Sequence, residues 1–309
     1  MTISDHATHF AGKTIVDYDV AAGISDPASQ VYRISFDYND EEASWEEKFA
    51  SFLRDPRSGE VTALVIGLWA EPGDPASTAL VVAALVEARE KLPLLNGIFL
   101  GDITYEESEI SWIDQTDVSP LFYAYPQLEY FRVRGGNGLK LGTIRHEHLR
   151  LLAVEAGGLD RSIVHDIWQS HLPALEHLEI WTGSQWYGAN TAVDDFAPLF
   201  TGNLFPNLRY LGLRDCEYVD ELASLLVVSP LIERIRVLDL SLGTFSQRGA
   251  EALLACPAIT KLEKLDVHHH YCPDDIVARL EALPIEVDVS EQQSKGDDAE
   301  EDRFIAVSE

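Results

Sequence analysis

Positive charge is scarce in this chain of 309 residues: 23 Lys and Arg stand against 52 Asp and Glu, a formal net charge of −29. That shortage excludes a nucleic-acid backbone or an anionic membrane surface as the natural partner, since both would be repelled. Cysteine is scarce too. Cys216, Cys256 and Cys272 are an odd number without CxxC spacing, which points to reduced thiols in a cytoplasmic protein, not a disulfide framework. The longest apolar run, around Leu80–Val86, is far short of the ~20 residues that span a bilayer. The N-terminal MTISDHATHFAGK lacks the basic start and apolar stretch of a secretory signal. Neither a GxSxG elbow nor a GxxxxGK[ST] phosphate loop occurs. RGGNG at 134–138 follows a strand-like run but opens no phosphate-binding helix. It reads as a tight turn, where glycine tolerates positive φ. Carboxylates are so abundant that no catalytic pair stands out.

What the sequence does have is a repeat. NLRYLGLRDC (207–216), RIRVLDLSLG (234–243) and KLEKLDVHHH (261–270) align with apolar residues at positions 1, 4 and 6 of a short register. The same LxxLxL register starts at 31, 61, 95, 128, 149, 175, 208, 235 and 262, a mean spacing of about 29 residues, the length of a strand-plus-helix leucine-rich unit. In the first of these units the apolar positions read as Val31, Ile34 and Phe36, and IEVDV (285–289) reads as a final short strand. One LxxLxL carries no weight; nine in phase predict an α/β leucine-rich repeat solenoid. Its parallel strands line the concave side of an arc and its helices the convex side, because one unit cannot bury its own apolar stripe and stacked units can. Residues 1–30 are expected to form an N-terminal cap and residues 31–290 nine to ten repeats. Residues 291–309, with seven acids and two bases, are expected to form an acidic disordered tail. Helices are expected at 44–53, with a Ser44–Glu47 capping box, and after an Asp74 N-cap with Pro75 at the first helical position. Further helices are expected at 160–171, 194–200, 220–228, 246–255 and 274–283.

The chain resembles a ribonuclease-inhibitor-like leucine-rich repeat protein. Through SWEEKFASFL (44–53), SEISWIDQTDVSPL (108–121), LPALEHLEIWTGSQWYG (172–188), LDVHHH (265–270) and DRFIAVSE (302–309), it is similar to small intracellular bacterial leucine-rich repeat proteins typical of actinobacteria. The resemblance covers nearly the whole chain and implies the fold and a cytoplasmic setting. It carries no catalytic motif and transfers no site residues.

Positions 3, 5 and 7 of each unit alternate away from the core and predict the concave surface. They offer Phe99, Tyr130, Arg132, Arg134, Glu155, His177, Glu179, Trp181, Tyr210, Arg214, Asp239, Asp266 and His268. Aromatics and Arg are the residue types that anchor protein interfaces. Arg132, Arg134 and Arg214 can form a local basic island suited to an acidic partner, or pair with Glu155 and Glu179 across neighbouring strands. The expected function is therefore non-catalytic binding of a protein or peptide by a monomer, with no cofactor, nucleic acid or membrane.

His268, His269, His270 and Cys272 are the tempting alternative, a metal-binding protein or metal-dependent enzyme. The strand register argues against it, because neighbouring histidines then point to different sides. His146 and His148 read as a solvated edge, and His6 and His9 as part of a loose N-terminus. Trp112, Trp186 and Tyr187 fall in the longest loops, which often carry binding residues. Phe304-Ile305-Ala306-Val307 is an apolar tip on the acidic tail, able to dock on its own body or on a partner.

Overall fold

Each LxxLxL register builds one strand, and the strands stack in chain order. The computed structural model describes residues 3–36, 44–70, 75–293 and 303–307, backbone only at 75–77. One open twelve-stranded sheet runs β1 (His9–Phe10), β2 (Lys13–Asp17), β3 (Gln30–Ile34), β4 (Ala63–Ile66), β5 (Gly97–Leu100), β6 (Tyr130–Arg134), β7 (Leu151–Glu155), β8 (His177–Gly183), β9 (Tyr210–Cys216), β10 (Val237–Asp239), β11 (Lys264–Asp266) and β12 (Glu286–Asp288). β1 and β2 are antiparallel, and every later pairing is parallel. This is the α/β leucine-rich repeat solenoid that the spacing predicts.

The pairing is in register with the repeat. Position 4 aligns as Leu64, Ile98, Phe131, Leu152, Leu178, Leu211, Leu238, Leu265 and Val287 across nine strands. All of these except Val287 of the last strand are fully buried. One continuous convex-side core results, as stacking requires.

The first unit departs from the expected register. Tyr32 lies opposite Leu64 and Ile34 opposite Ile66, so Tyr32 and Ile34 hold positions 4 and 6. Val31 belongs to the other face, with Ile15, Ala63, Val65 and Phe99. VYRISF carries apolar residues at both parities, so its own pattern does not choose a face; the neighbouring strand does. Residues 1–30 contribute β1 and β2, which form the first edge of the sheet.

The return segments carry α1 (Trp45–Phe52), α2 (Pro75–Glu87), α3 (Ser119–Ala124), α4 (Arg161–Gln169), α5 (Ala197–Phe200), α6 (Val219–Leu226), α7 (Gln247–Leu254) and α8 (Asp274–Glu281). Ser44 and Glu47 form the capping box of α1, while Asp160 and Ser246 cap α4 and α7. The Asp74 cap lies outside the described residues. Before α5 the chain first makes a 3-10 turn, Val193–Phe196, with Pro198 in the first turn of the helix, where its missing N–H does no harm. Between β6 and β7, the shortest spacing, the described chain has no helix and makes isolated bridges instead.

The chain turns off its later strands through a column of left-handed residues. Asp215, Leu242, His269 and Glu291 have φ of 49°, 66°, 57° and 60°, although none is glycine; each such residue costs on the order of 1 kcal/mol. The ladder continues through them: their N–H groups, in Asp215, Leu242 and His269, donate to the carbonyls of Ser241, His268 and Ser290, each at 3.0 Å. At the matching point after β6 glycine does the same work, Gly135 at φ 104°.

Both ends of the chain return to the concave side. Phe10, with Ala7 and Ala11, packs on Val31, Ala63, Val65, Phe99 and Tyr130. Residues 303–307 do not form the loose tail expected of them. Ala306 and Val307 pack on Trp181, Leu242 and Ile110, with Ile3 against the same cluster. The Ala306 N–H donates to the Leu242 carbonyl at 2.7 Å and the Val307 N–H to Asp215 Oδ1 at 2.9 Å. An apolar tip finds an apolar seat, which offsets the entropy of ordering it. The acidic run at 294–302 lies outside the described residues.

Position 4 sets the stability of the stack. Phe131→Ala, in the fully buried column and 4.7 Å from the Phe122 ring, is expected to cost about 3–5 kcal/mol in urea unfolding. Leu80→Ala, at a side chain 57% exposed, should stay within about 0.5 kcal/mol.

Candidate functional site

The concave face is built on the same register, so its charges meet across strands about 4.8 Å apart. Arg33 pairs with Asp17 at 2.7 Å and with Asp102 at 2.9 Å. Arg134 reaches Asp102 at 3.6 Å and Glu155 at 2.7 Å. Arg132 bonds the other oxygen of Glu155 and lies 3.9 Å from Glu179. Arg214 pairs with Glu179 at 2.9 Å and Asp239 at 3.3 Å. The chain of alternating charge therefore runs from β2 to β10 without a free guanidinium. Of the two arrangements open to Arg132, Arg134 and Arg214, the structure has the cross-strand pairs and no basic island.

Rings fill the space beside these pairs. Arg132 and Arg134 lie over Phe99, 5.0 and 5.4 Å from its centroid, and Arg214 over Trp181 at 4.8 Å. The Trp181 indole N–H donates to Glu179 at 2.7 Å. His177 stacks flat on Tyr210, centroids 3.7 Å apart, and the Tyr210 hydroxyl donates to Asp239 at 2.7 Å. Burial would raise the Glu179 carboxyl, but Arg214, His177 and Arg132 hold it well below its ordinary range. Burial, reinforced by Glu179 and Asp239, pushes the Tyr210 phenol up.

The two chain ends decide what a partner could reach. The Ala7 N–H donates to Asp102 at 3.1 Å, His6 Nδ1 lies 3.1 Å from the Asp102 carbonyl, and the Tyr105 N–H holds the Ile3 carbonyl at 2.9 Å. His6 is thus tied down, not loose. Burial favours protonation of Asp102, but the bond from His6, together with Arg134, Ala7 and Arg33, lowers it. Phe99 is covered, with Phe10 5.9 Å away. Trp181 is covered by Ala306 and Val307. Among the residues expected to form a binding face, Phe99, Arg134, Glu155, Glu179, Trp181, Asp239 and Asp266 are buried. The half-buried part is the row at the start of the strands, Tyr130, Leu151, His177, Tyr210, Val237 and Lys264, together with Arg132, Arg214 and His268 behind it. Asp102, which ties three charged groups together, lies two residues past the LxxLxL frame and gives no periodic signal.

At the β11 end, Asp266, His268 and Asp288 place one ligand-type atom each within 4.8 Å of one another. Asp266 is already served, by His268 Nδ1 at 2.6 Å and Lys264 Nζ at 3.1 Å. Against the effect of burial, these and the His268 N–H bring its carboxyl down to about 2. The bond to Asp266 raises the His268 imidazole. The other two histidines face elsewhere: His269 Nδ1 lies 3.3 Å from the Gly243 carbonyl, His270 Nε2 2.9 Å from that of Val289. His268–His270 therefore do not converge on one point. His146 is buried rather than solvated, with Nε2 3.2 Å from the Tyr125 carbonyl and its ring edge-on to Phe122.

With this geometry in view, the comparisons with known proteins are informative in one case. The crystal structure of a Bacteroides fragilis protein, a structural-genomics target, superposes with a TM-score of 0.79 at 31% identity, over 85% of this chain and 75% of that one. The chain belongs to the same family as that Bacteroides fragilis protein. The family's solenoid is thus seen in a second sequence. An internalin from Listeria monocytogenes aligns over 86% of this chain and 54% of its own, at 12% identity and a TM-score of 0.35, too distant to bear on fold or function. No protein-family model and no curated protein matches the chain.

Two measurements check the charge network. Glu155 is fully buried and shared by two guanidiniums; Glu155→Ala leaves both without their common carboxylate and should cost about 3–5 kcal/mol. For His268, NMR titration should show a value above the ordinary ~6.5 that falls in Asp266→Asn. Because the folded His268 value is raised and that of Asp266 is lowered to about 2, the pair stabilises the protein fully between about pH 4 and pH 6.5; the contribution is lost as pH rises through the folded His268 value or falls through that of Asp266.

Proposed function

We propose that this chain is a non-catalytic cytoplasmic binding module that takes a protein or peptide along the open row of its concave face. The observation that carries this reading is the row itself. Tyr130, Leu151, the stacked His177–Tyr210 pair and Val237 form a half-buried aromatic and aliphatic strip on a continuous parallel sheet. Beneath it the charges are already satisfied by one another, so the strip is held rigid without help from a ligand. Rigid aromatic contact area at low entropic cost is what protein interfaces select for. Lys264 is engaged by Asp266, so recognition in this proposal rests on apolar and aromatic contact and not on a basic island. None of the three cysteines is in a disulfide and two are buried, which fits a reducing compartment. No described helix is long and apolar enough to cross a membrane.

The test is a Leu151→Arg/Val237→Arg double variant, which places two charges in the strip without touching the paired layer. Cross-linking and pull-down from native cytoplasm should recover partners with the wild type that the variant loses by tenfold or more, at an unchanged melting temperature. An identical partner set for both proteins removes this row from the function.

A further inference from the structure

The rim of the solenoid, where the chain leaves the carboxyl ends of β5 to β8, holds a cleft of about 480 Å3, within the usual range for small-ligand sites. Two indoles line it, Trp112 and Trp186, together with Tyr187, Asn137 and Asp160. Trp186 is 91% exposed and Trp112 64% exposed. Leaving two such side chains in water at one cleft brings no gain to folding.

Neither indole sits on a loose loop. The 3-10 turn Gln185–Tyr187 is capped by Ser184, whose oxygen accepts the Trp186 N–H at 3.2 Å and whose hydroxyl donates to Glu217 at 2.7 Å. The turn presses on the preceding repeat: a Cβ at Gly158 would lie 2.0 Å from the Tyr187 carbonyl oxygen. Trp112 ends the 3-10 turn Ile110–Trp112, which is anchored by buried Ile110. The Asn137 amide bonds Asp114 just beyond it. Both rings are therefore presented by fixed backbone, the preorganisation that a binding site needs.

Charge selects the ligand class. Asp160 caps α4 through the Ser162 N–H at 2.8 Å and accepts the Asn190 amide at 2.8 Å. The adjacent Arg161 donates to the Asn190 carbonyl at 2.8 and 3.0 Å and lies 3.6 Å from Asp195. The Ser162 hydroxyl and N–H, the Asn190 amide and the Arg161 charge hold the Asp160 carboxyl below its ordinary range. The lining thus offers three aromatic rings and a carboxylate, with no cationic side chain, in a protein of net charge −29. Aromatic faces attract cations, tryptophan most strongly, and the overall field draws them in. We propose that this cleft binds a cation on an apolar stem, a guanidinium or alkylammonium, against Trp112 and Trp186 with Asp160 as counter-charge. Such a group comes either from an Arg or Lys side chain of a peptide or from a free small amine.

The experiment titrates the full-length chain by calorimetry, and by NMR of the indole Nε1–H signals, with three probes: an arginine-containing hexapeptide, the same peptide with citrulline in place of arginine, and agmatine. The cationic peptide should bind and shift the Trp112 and Trp186 signals, and the citrulline peptide should bind at least several-fold more weakly. Trp186→Ala should weaken binding about three- to thirtyfold. Asp160→Asn, which keeps the helix cap, should weaken it several-fold, and melting curves confirm that both variants fold. Agmatine binding without peptide binding assigns the source to a small amine; binding of both assigns it to a side chain. No binding of either cation at millimolar concentration overturns the proposal. So does equal binding of the citrulline peptide, or of the Trp186→Ala variant.

Discussion

Everything in this molecule follows from strands held in the same parallel register. A ladder in which position 4 always meets position 4 stacks Leu152 on Leu178 on Leu211 and makes one core out of units that have none alone. The same ladder imposes its repeat on the opposite face, where it is harder to satisfy. Asp239, Asp266 and Asp288 are brought side by side on β10, β11 and β12, an arrangement of like charges that costs free energy. Each is met locally. Arg214 and the Tyr210 hydroxyl serve Asp239, Lys264 and His268 serve Asp266, and the Ser290 hydroxyl and N–H serve Asp288. Concave-face composition is therefore constrained almost as tightly as the core, by electrostatics instead of packing.

That constraint explains what could be read from the sequence and what could not. Eight register starts, from 61 to 262, could be placed because leucine, isoleucine and valine recur at three positions with polar residues between them. The Ser44–Glu47 capping box was legible because capping is local chemistry. The first unit was not, because Tyr32 and Val31 are both apolar and only the partner strand assigns their faces. Which residues lie on the concave side was legible from alternation alone; which of them a partner can reach was not. Access to Phe99 depends on Phe10, and access to Trp181 on Val307, contacts between stretches far apart in sequence that leave no periodic trace. Asp102 falls in the same class: a buried carboxylate whose partners, His6, Arg33 and Arg134, come from three separate stretches.

The two ends do more than cover surface. Asp215 is buried, its Oδ2 has no hydrogen-bond partner, and burial pushes its carboxyl well above its ordinary range. It occupies a left-handed turn that most side chains avoid. The contact that recruits it is the Val307 N–H on Oδ1. A costly residue at the exit of β9 is thus matched to a segment from the far end of the chain. The seat at Leu242 follows the same rule, since its left-handed turn leaves the carbonyl facing the Ala306 N–H. A repeat with an ordinary turn there would offer neither group.

Two surfaces remain after the internal accounting of charge, and they differ in kind. The strip from Tyr130 to Val237 lies over ion pairs already closed on themselves, so a partner there gains mainly by contact area and shape. The rim cleft is the reverse: its carboxylate is hydrogen-bonded by neutral groups, the Ser162 hydroxyl and N–H and the Asn190 amide, and the one guanidinium that acts on it, that of Arg161, lies outside the lining. In a fold where Arg132, Arg134 and Arg214 are each matched to a carboxylate, an ionised Asp160 beside two exposed indoles is the place where a positive charge from outside has the most to gain.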